Sequence, residues 1–324
     1  MYGNTNDYNN INLSGDKEMY RYPNGDKTMY PFPTESEIFY NVTEHKPMWL
    51  EKVYGVRHPH TDLDMKMLVR DDTQEVLGYH KKNYTTVQNR ELFQHIEREM
   101  INNFDLLELE HVTVHDHISR GGKSAAREYR FPKTEMLTTN NGHQTKIQLR
   151  AIGWNCFDGS AKCKIIFGDI DLFCMNGMVL GEKDIIAKKR TKNFNLSDFT
   201  SLEESFKRFN SKIDLYREWA QTRVSIADVE AFFAKSFKNG KKKTDGTYSN
   251  LEKFLEQFKE ECSVRGQNLW SVVSTMTNYA SHTDEWTLNK QSKDNEFGIL
   301  YGRQKDVQNI MNSEAFRDLT KVAA

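Results

Sequence analysis

The sequence predicts an α+β protein in which a mostly antiparallel sheet domain with one crossing helix precedes a helical C-terminal region. Residues 36–182 contain short apolar runs that alternate with period two and are separated by turn-forming residues, as antiparallel strands do. Residues 183–324 instead repeat apolar side chains every three or four positions, as amphipathic helices do. The two patterns divide the chain into a β-rich domain and a helical region, preceded by residues 1–35.

Residues 1–35 are rich in Asn, Tyr, Gly and Asp and contain few aliphatic side chains. Such a segment buries too little apolar surface to offset the entropy of ordering it. We therefore expect a flexible N-terminal tail. Its five tyrosines are either simply solvated or available to stack on bases or on a partner.

The first strands of the sheet domain are predicted to be short. Residues 38–42 and 48–56 are rich in strand-forming side chains. Residues 65–70 and 75–79 are predicted to pair as a hairpin across the polar turn at 71–74.

One helix is predicted inside the sheet domain, from residue 87 to residue 102. Its apolar side chains recur at helical spacing, and Thr85 or Thr86 is the expected N-cap.

A Gly-rich basic loop, residues 118–124, joins strands predicted at 106–117 and 125–131. Its Gly-Gly-Lys-Ser stretch is reminiscent of a phosphate-binding P-loop. That motif requires a further glycine separated by four residues from the Gly-Lys pair, where this chain has His117, and it requires a helix where this chain predicts a strand. We therefore do not expect nucleotide hydrolysis at this loop.

The most specific stretch of the sequence spans residues 145–182. It begins with the alternating pattern of a half-buried strand, and Asp158-Gly159 is a favoured hairpin turn. The return strand is predicted at 162–172. Asn176-Gly177 signals a second turn, in which both residues have a structural role.

The helical region is predicted to contain five helices, with a capping box formed by Ser197 or Thr200 and Glu203 or Glu204. The predicted helices span residues 198–221, 225–237, 249–263, 268–282 and 305–322. Within the fourth, Trp270, Tyr279 and His282 are expected to make core contacts rather than to bind a ligand.

Composition limits the classes of function. The 324 residues are 37% hydrophobic and carry a net charge of −1, so any nucleic-acid binding must rest on local basic patches. No apolar run is long enough for a membrane span, and no signal peptide is apparent, so we expect a cytoplasmic protein with no membrane partner. Cys156 and Cys163 flank the predicted hairpin turn and are expected to be free thiols.

Neither a metal, a cofactor nor a catalytic group is expected. His111, His115 and His117 fall on one face of a predicted strand, but no further ligands follow at metal-site spacing. We therefore interpret them as solvent-exposed polar residues. Cysteine–histidine catalysis remains an open alternative, which requires a buried pocket where such side chains converge.

Three stretches together resemble one protein family. Residues 172–178, LFCMNGM, resemble its Cys-x-Asn-Gly-hydrophobic signature; residues 79–93, YHKKNYTTVQNRELF, resemble its Val-Gln-Asn segment; and residues 269–282, LWSVVSTMTNYASH, resemble its late helix. The family is the phage- and plasmid-like one described as domain of unknown function 932. The resemblance implies a phage-type protein acting in the host cytoplasm, and it implies no particular reaction.

Local clusters of basic and aromatic residues favour nucleic-acid binding, because Lys and Arg neutralise phosphates while aromatic rings stack on unpaired bases. Trp154 is a further candidate for stacking. The predicted nucleic-acid-binding residues are Lys81, Lys82, Tyr84, Arg120, Lys123, Arg127, Tyr129, Arg130, Lys188, Lys189, Arg190 and Lys192.

The predicted fold is similar in outline to that of phage single-strand annealing proteins, which oligomerise and hold single-stranded DNA along a basic groove. This similarity implies a non-catalytic, homo-oligomeric protein that binds and anneals single-stranded DNA in recombination or replication. The alternative is a phage scaffold or interaction protein that does not bind nucleic acid. Annealing predicts that the basic clusters merge on one surface, whereas the alternative predicts that they lie on different faces.

Overall fold

The computed structural model of the protein describes residues 19–21, 27–47, 49–53, 56–60, 64–104, 109–173, 176–178, 185–196, 202–237, 250–282 and 296–322. The described strands are β1 Met19–Arg21, β2 Lys27–Met29, β3 Val42–His45, β4 Trp49–Val53, β5 Val56–His60, β6 Met65–Arg70, β7 Val76–Lys81, β8 Thr113–Ser119, β9 Ser124–Thr138, β10 Gln144–Cys156, β11 Cys163–Asp171, β12 Asn176–Met178 and β13 Ile185–Lys188. The described helices are α1 Asn89–Asn103, α2 Leu202–Gln221, α3 Ile226–Ser236, α4 Asn250–Arg265, α5 Leu269–Ser281, α6 Glu296–Met311 and α7 Glu314–Val322.

An antiparallel sheet forms the centre of the protein, in the order β8-β9-β10-β11, and both β12 and β13 pair with the outer edge of β11. Side chains at alternate positions of β10, such as Ile147, Leu149 and Ala151, join the main hydrophobic core. The other side of the strands carries a smaller cluster that includes Ile152 and Trp154. The predicted α+β class is confirmed.

Smaller sheets flank this centre. Strands β3, β6 and β7 form a three-stranded antiparallel sheet, which confirms the hairpin predicted at 65–70 and 75–79. The single strand predicted at 48–56 is wrong, because β4 and β5 pair with each other as a hairpin. Within the predicted tail, Phe32 is buried in the main core, so packed structure begins before residue 36.

Helix α1 begins after Gln88 and packs on the central sheet. The N-cap is Gln88, whose N–H donates to Glu91 Oε2 at 3.0 Å, so the caps predicted at Thr85 and Thr86 are wrong. Both threonine hydroxyls are engaged elsewhere: that of Thr85 donates to the Thr191 carbonyl oxygen at 2.7 Å, and that of Thr86 donates to Glu44.

A close approach between α1 and β10 depends on Gly153. A Cβ atom at this position would lie 2.6 Å from Ile96 Cδ1 and 3.0 Å from Phe93 Cδ1. We expect Gly153→Val to lower the free energy of unfolding by about 1–3 kcal/mol, because the added atoms overpack a filled core. Urea denaturation measures this. Gly302→Ala is the control, since nothing lies within 4 Å of its Cβ position and alanine favours the helix; a Gly153→Val protein as stable as the control would contradict the packing argument.

The second predicted turn is also displaced. Asn176 and Gly177 lie in β12 and pair with Asp171 and Ile170 of β11. The chain instead turns directly after β11, where the Asp171 carboxylate accepts a hydrogen bond from the Phe173 backbone N–H at 3.0 Å. Asp171 therefore has the turn-stabilising role that was predicted for Asn176.

Helix α5 is the centre of the helical region, with every residue from 269 to 280 buried. Trp270 and Tyr279 lie in the core as predicted. The single helix predicted at 305–322 is wrong: α6 begins at Glu296, and α7 begins again after Ser313, whose hydroxyl accepts from the Phe316 N–H. Ser197 and Thr200 of the predicted capping box lie outside the described residues.

Cys156, Cys163 and Cys262 are free thiols. No helix in the described part of the chain combines the length and apolar character that a membrane span requires.

Candidate nucleic-acid interface

The turn between β10 and β11, residues 157–162, is here called the hairpin tip. The Gly-rich loop packs directly against it: the Phe157 N–H donates to the Lys123 carbonyl oxygen at 2.7 Å, and Arg120 forms an ion pair with Asp158 at 2.6 Å. Gly121 has a positive φ of 66°, and a Cβ there would clash with the Glu75 carboxylate. The exposed Glu75 side chain can move aside, so the glycine is explained by the backbone conformation.

A second segment, residues 80–85, lies against the other side of the hairpin tip. The His80 ring makes a hydrogen bond with the Phe157 carbonyl oxygen, and the Tyr84 hydroxyl donates to the Cys156 carbonyl oxygen at 3.4 Å. The His80 and Tyr84 rings stack with their centroids 3.7 Å apart. This stack holds the end of β7 beside the tip.

Residues 188–192 complete the group. The Arg190 guanidinium donates to Asn155 Oδ1 at 2.6 Å and to the Cys156 carbonyl oxygen, and its centre lies 5.1 Å from the Tyr84 ring centroid. The Thr85 N–H donates to the Arg190 carbonyl oxygen at 3.3 Å. Three chain segments that are distant in sequence thus converge at one end of the sheet.

This convergence gathers seven lysines at one end of the sheet. We call these seven lysines the hairpin-tip surface. Most are exposed, while Lys123 and Lys188 are half-buried, and within the described chain none lies within ion-pair distance of a carboxylate. Two nearby acidic groups are engaged elsewhere: Asp158 pairs with Arg120, and Glu44 pairs with Lys66. The hairpin-tip surface consists of Lys81, Lys82, Lys123, Lys162, Lys188, Lys189 and Lys192.

Arg127 and Tyr129 do not contribute to this surface, which corrects the prediction. Alternation along β9 turns both side chains into the core beneath α1, where each is completely buried. Arg127 donates to Glu97 Oε1 at 2.8 Å and to Asp116 Oδ1 at 2.7 Å, and the Tyr129 hydroxyl donates to Glu97 Oε1 at 2.9 Å. Neither side chain is exposed to a ligand.

Four other predicted residues organise the surface or lie away from it. Arg190 is buried and Tyr84 is covered by His80 and Arg190, so both hold the backbone in place. Trp154 is buried and donates to Ser124 Oγ at 2.7 Å, so it is not an exposed stacking ring. Arg130 points to the opposite side of β9 from Arg127 and pairs with Glu128.

The structure reveals one exposed aromatic ring that the sequence interpretation missed as a site residue. Tyr79 is 57% exposed and precedes Lys81 by two positions on β7, so the strand pleat places both on one face. Met65, which pairs with Lys81 across β6 and β7, is also exposed. The Tyr-x-Lys spacing is the signal from which Tyr79 could have been found.

Burial lowers the pKa of His80, and the neighbouring Arg190 charge acts in the same direction. Burial also raises the pKa of the Tyr84 hydroxyl to about 12. The stacked pair is therefore neutral near pH 7.

Acid is expected to weaken the packing at the hairpin tip. The unfolded chain binds a proton at His80 near the ordinary pKa of about 6.5, whereas the folded chain binds it only at lower pH. The free energy of unfolding therefore decreases as the pH falls from the unfolded-state pKa towards the folded-state pKa. We expect urea midpoints to decrease between about pH 7.5 and about pH 5.5, and to decrease less in His80→Gln. Equal pH dependence in the two proteins would contradict this role for His80.

Within the described residues, no group of three or more His, Cys, Asp and Glu side chains is arranged to hold a metal ion. His115 and His117 are exposed on β8, while His111 precedes that strand.

A family model described as Domain of unknown function (DUF932) matches residues 76–315. This range contains all seven lysines of the hairpin-tip surface. Neither the curated proteins nor the solved structures include a significant match to the chain.

Proposed function

Because the chain belongs to the family described as domain of unknown function 932, a description that assigns no activity, we propose its function from the hairpin-tip surface: it binds single-stranded DNA without covalent chemistry. The convergence of Lys81, Lys82, Lys123 and residues 188–192 at one end of the sheet carries this proposal. Such a surface is what annealing requires and what the alternative of scattered basic clusters does not predict.

The electrostatics of the surface suit a polyanion. Lysines without a carboxylate partner can neutralise phosphates and release the counterions condensed on the DNA, so affinity decreases steeply with salt. The net charge of −1 means that this attraction is local, which favours a defined binding surface over binding across the whole protein.

Annealing and oligomerisation extend this proposal. Neutralised phosphates reduce the repulsion between two complementary strands, and several protomers on one strand add weak contacts into tight binding. We place the protein in DNA recombination or replication, as a phage-type protein in the host cytoplasm.

The second candidate function is a protein–protein interaction without nucleic acid. Exposed Tyr79 and Met65 beside the lysines also suit an acidic protein partner that presents an apolar side chain. The two functions differ in their response to single-stranded DNA.

Fluorescence anisotropy of a labelled single-stranded oligonucleotide, titrated with the full chain at low and at moderate salt, tests the proposal. We expect binding with little sequence preference that weakens strongly as salt increases. An absence of binding even at low salt would overturn the DNA proposal and favour the protein-interaction function.

Tyr79 is expected to supply a stacking contact. Replacement by serine should weaken single-stranded DNA binding by about 1–3 kcal/mol and leave the salt dependence unchanged, because the ring contributes no charge. Tyr79→Phe is the matched control and should retain most of the affinity. If serine and phenylalanine variants bind equally well, Tyr79 does not stack on a base.

A further inference from the structure

The side of the central sheet opposite α1 carries a second charged cluster. Arg130 of β9 and Arg150 of β10 are direct cross-strand neighbours, and Glu128 lies on the same side of β9. His115 pairs with Glu128 across β8 and β9, and His117 lies two positions further along β8. Four basic side chains therefore surround a single carboxylate.

Glu128 is shared by its neighbours. Its Oε1 accepts from Arg150 Nη1 at 3.0 Å, its Oε2 accepts from Arg130 Nη2 at 3.1 Å, and His117 Nε2 lies 3.9 Å from Oε2. Although burial opposes ionisation, nearby His117 and the charges of Arg150 and Arg130 keep the pKa of Glu128 well below its usual range. One negative charge thus faces two permanent positive charges.

Arg150 is only 5% exposed, and three of its five N–H donors lie on nitrogens that have no hydrogen-bond partner. Its Nε and Nη2 are both buried and make no hydrogen bond, and the same holds for Nε of Arg130. A buried donor without a partner is costly, since it loses its hydrogen bonds to water without replacement. Because this cost falls on a charged group, we expect a hydrogen-bond acceptor from outside the protein chain to bind these N–H groups.

The unpartnered Nε and Nη2 atoms of Arg150 form one edge of its guanidinium group, and this edge suits an anion with two oxygens. The Nε–Nη2 edge of a guanidinium presents two parallel N–H groups at the spacing of two oxygens of a carboxylate or a phosphate. The neighbouring Arg130 Nε supplies a third donor. The cluster extends from buried Arg150 to the protein surface, because His115 and His117 on β8 are both exposed.

We propose that this cluster is an oxyanion-binding site in which the Nε–Nη2 edge of Arg150 binds a phosphate or carboxylate group side-on, assisted by Arg130. The bound anion balances the excess positive charge around Glu128. The site is separate from the hairpin-tip surface and does not depend on the proposed DNA binding.

The thermal unfolding midpoint of the full chain tests the site, measured in inorganic phosphate, in acetate and in chloride at equal ionic strength. Binding to the folded state raises the midpoint, and the stabilisation grows with the logarithm of 1 plus the ligand concentration over Kd. We expect phosphate or acetate to raise it relative to chloride, and the anion that does so identifies the ligand class. If neither anion raises the midpoint above chloride, the site is overturned.

Arg150→Lys tests the location, because lysine retains the charge beside Glu128 but loses the two-donor edge. We expect its anion affinity to decrease by about tenfold or more. Arg130→Lys, at a less buried position, provides a second variant with the same direction of effect. Undiminished anion stabilisation in both variants would overturn the assignment to Arg150.

A variant of the hairpin-tip surface, Lys81→Gln with Lys189→Gln, separates this proposal from DNA binding. The anion effect should be unchanged in it. Loss of the anion effect there would instead place the anion on the hairpin-tip surface and overturn the Arg150 site.

Discussion

Replacement of Arg127 by methionine is expected to lower the free energy of unfolding by about 3–5 kcal/mol. The substitution removes the positive partner of Glu97, whose side chain is 1% exposed and cannot be solvated in place. It also removes the donor to the Pro33 carbonyl oxygen and the cation 4.3 Å from the Phe39 ring centroid. The loss therefore combines an uncompensated buried charge with weaker attachment of residues 30–39 to the sheet.

Urea denaturation of the variant measures this loss. Adding Glu97→Gln to Arg127→Met should recover part of it, because the buried charge is then gone. Arg130→Met is a matched control three residues along the same strand; its side chain is 21% exposed and Glu128 keeps Arg150, so we expect a loss of about 1 kcal/mol or less. If the Arg127 and Arg130 variants were equally stable, the buried network would have no special role.

The largest expected effect on binding comes from replacing Lys81, Lys82, Lys189 and Lys192 together by glutamine. Each phosphate contact contributes about 0.7 to the slope of log K against log salt on a single strand, so four lost contacts should reduce the slope by about 2.8. At about 0.1 M salt this corresponds to a loss of affinity of about two to three orders of magnitude. These lysines are exposed and have no carboxylate partner within the described chain, so the fold should be unaffected.

A second fourfold variant controls for net charge. Lys133, Lys146, Lys235 and Lys259 are also exposed but lie outside the hairpin-tip surface, and their replacement by glutamine changes the net charge equally. We expect this control to retain the wild-type slope. Equal losses in both variants would mean that the DNA responds to total charge rather than to this surface.

Local patterns predicted much of the fold. Period-two alternation identified the central hairpin, and helical periodicity located all the predicted helices but the last to within a few residues, because both patterns record which side of an element faces the core. One error arose where a contact distant in sequence decides the local structure. Thr85 caps no helix because its hydroxyl binds the carbonyl oxygen of Thr191, more than one hundred positions away.

In the candidate site, too, local sequence predicted some features and contacts distant in sequence decided the others. Charge clustering identified Lys81, Lys82 and residues 188–192, and only the packing around the hairpin tip shows that they are neighbours. Arg127 and Tyr129 looked equally suitable in sequence, but their shared partner Glu97 lies on another element, 30 positions before Arg127 and 32 before Tyr129. A charged side chain on a core-facing position of a strand is distinguishable only once that partner is known.

Lysine footprinting tests the central claim most directly. Acetylation rates of individual lysines are measured by mass spectrometry with and without a saturating single-stranded oligonucleotide. We expect unchanged acetylation rates at the four control lysines, Lys133, Lys146, Lys235 and Lys259. We expect slower acetylation of the exposed hairpin-tip lysines, which are Lys81, Lys82, Lys162, Lys189 and Lys192. Protection spread evenly over both sets, or confined to the control lysines, would contradict the assignment of DNA binding to the hairpin-tip surface.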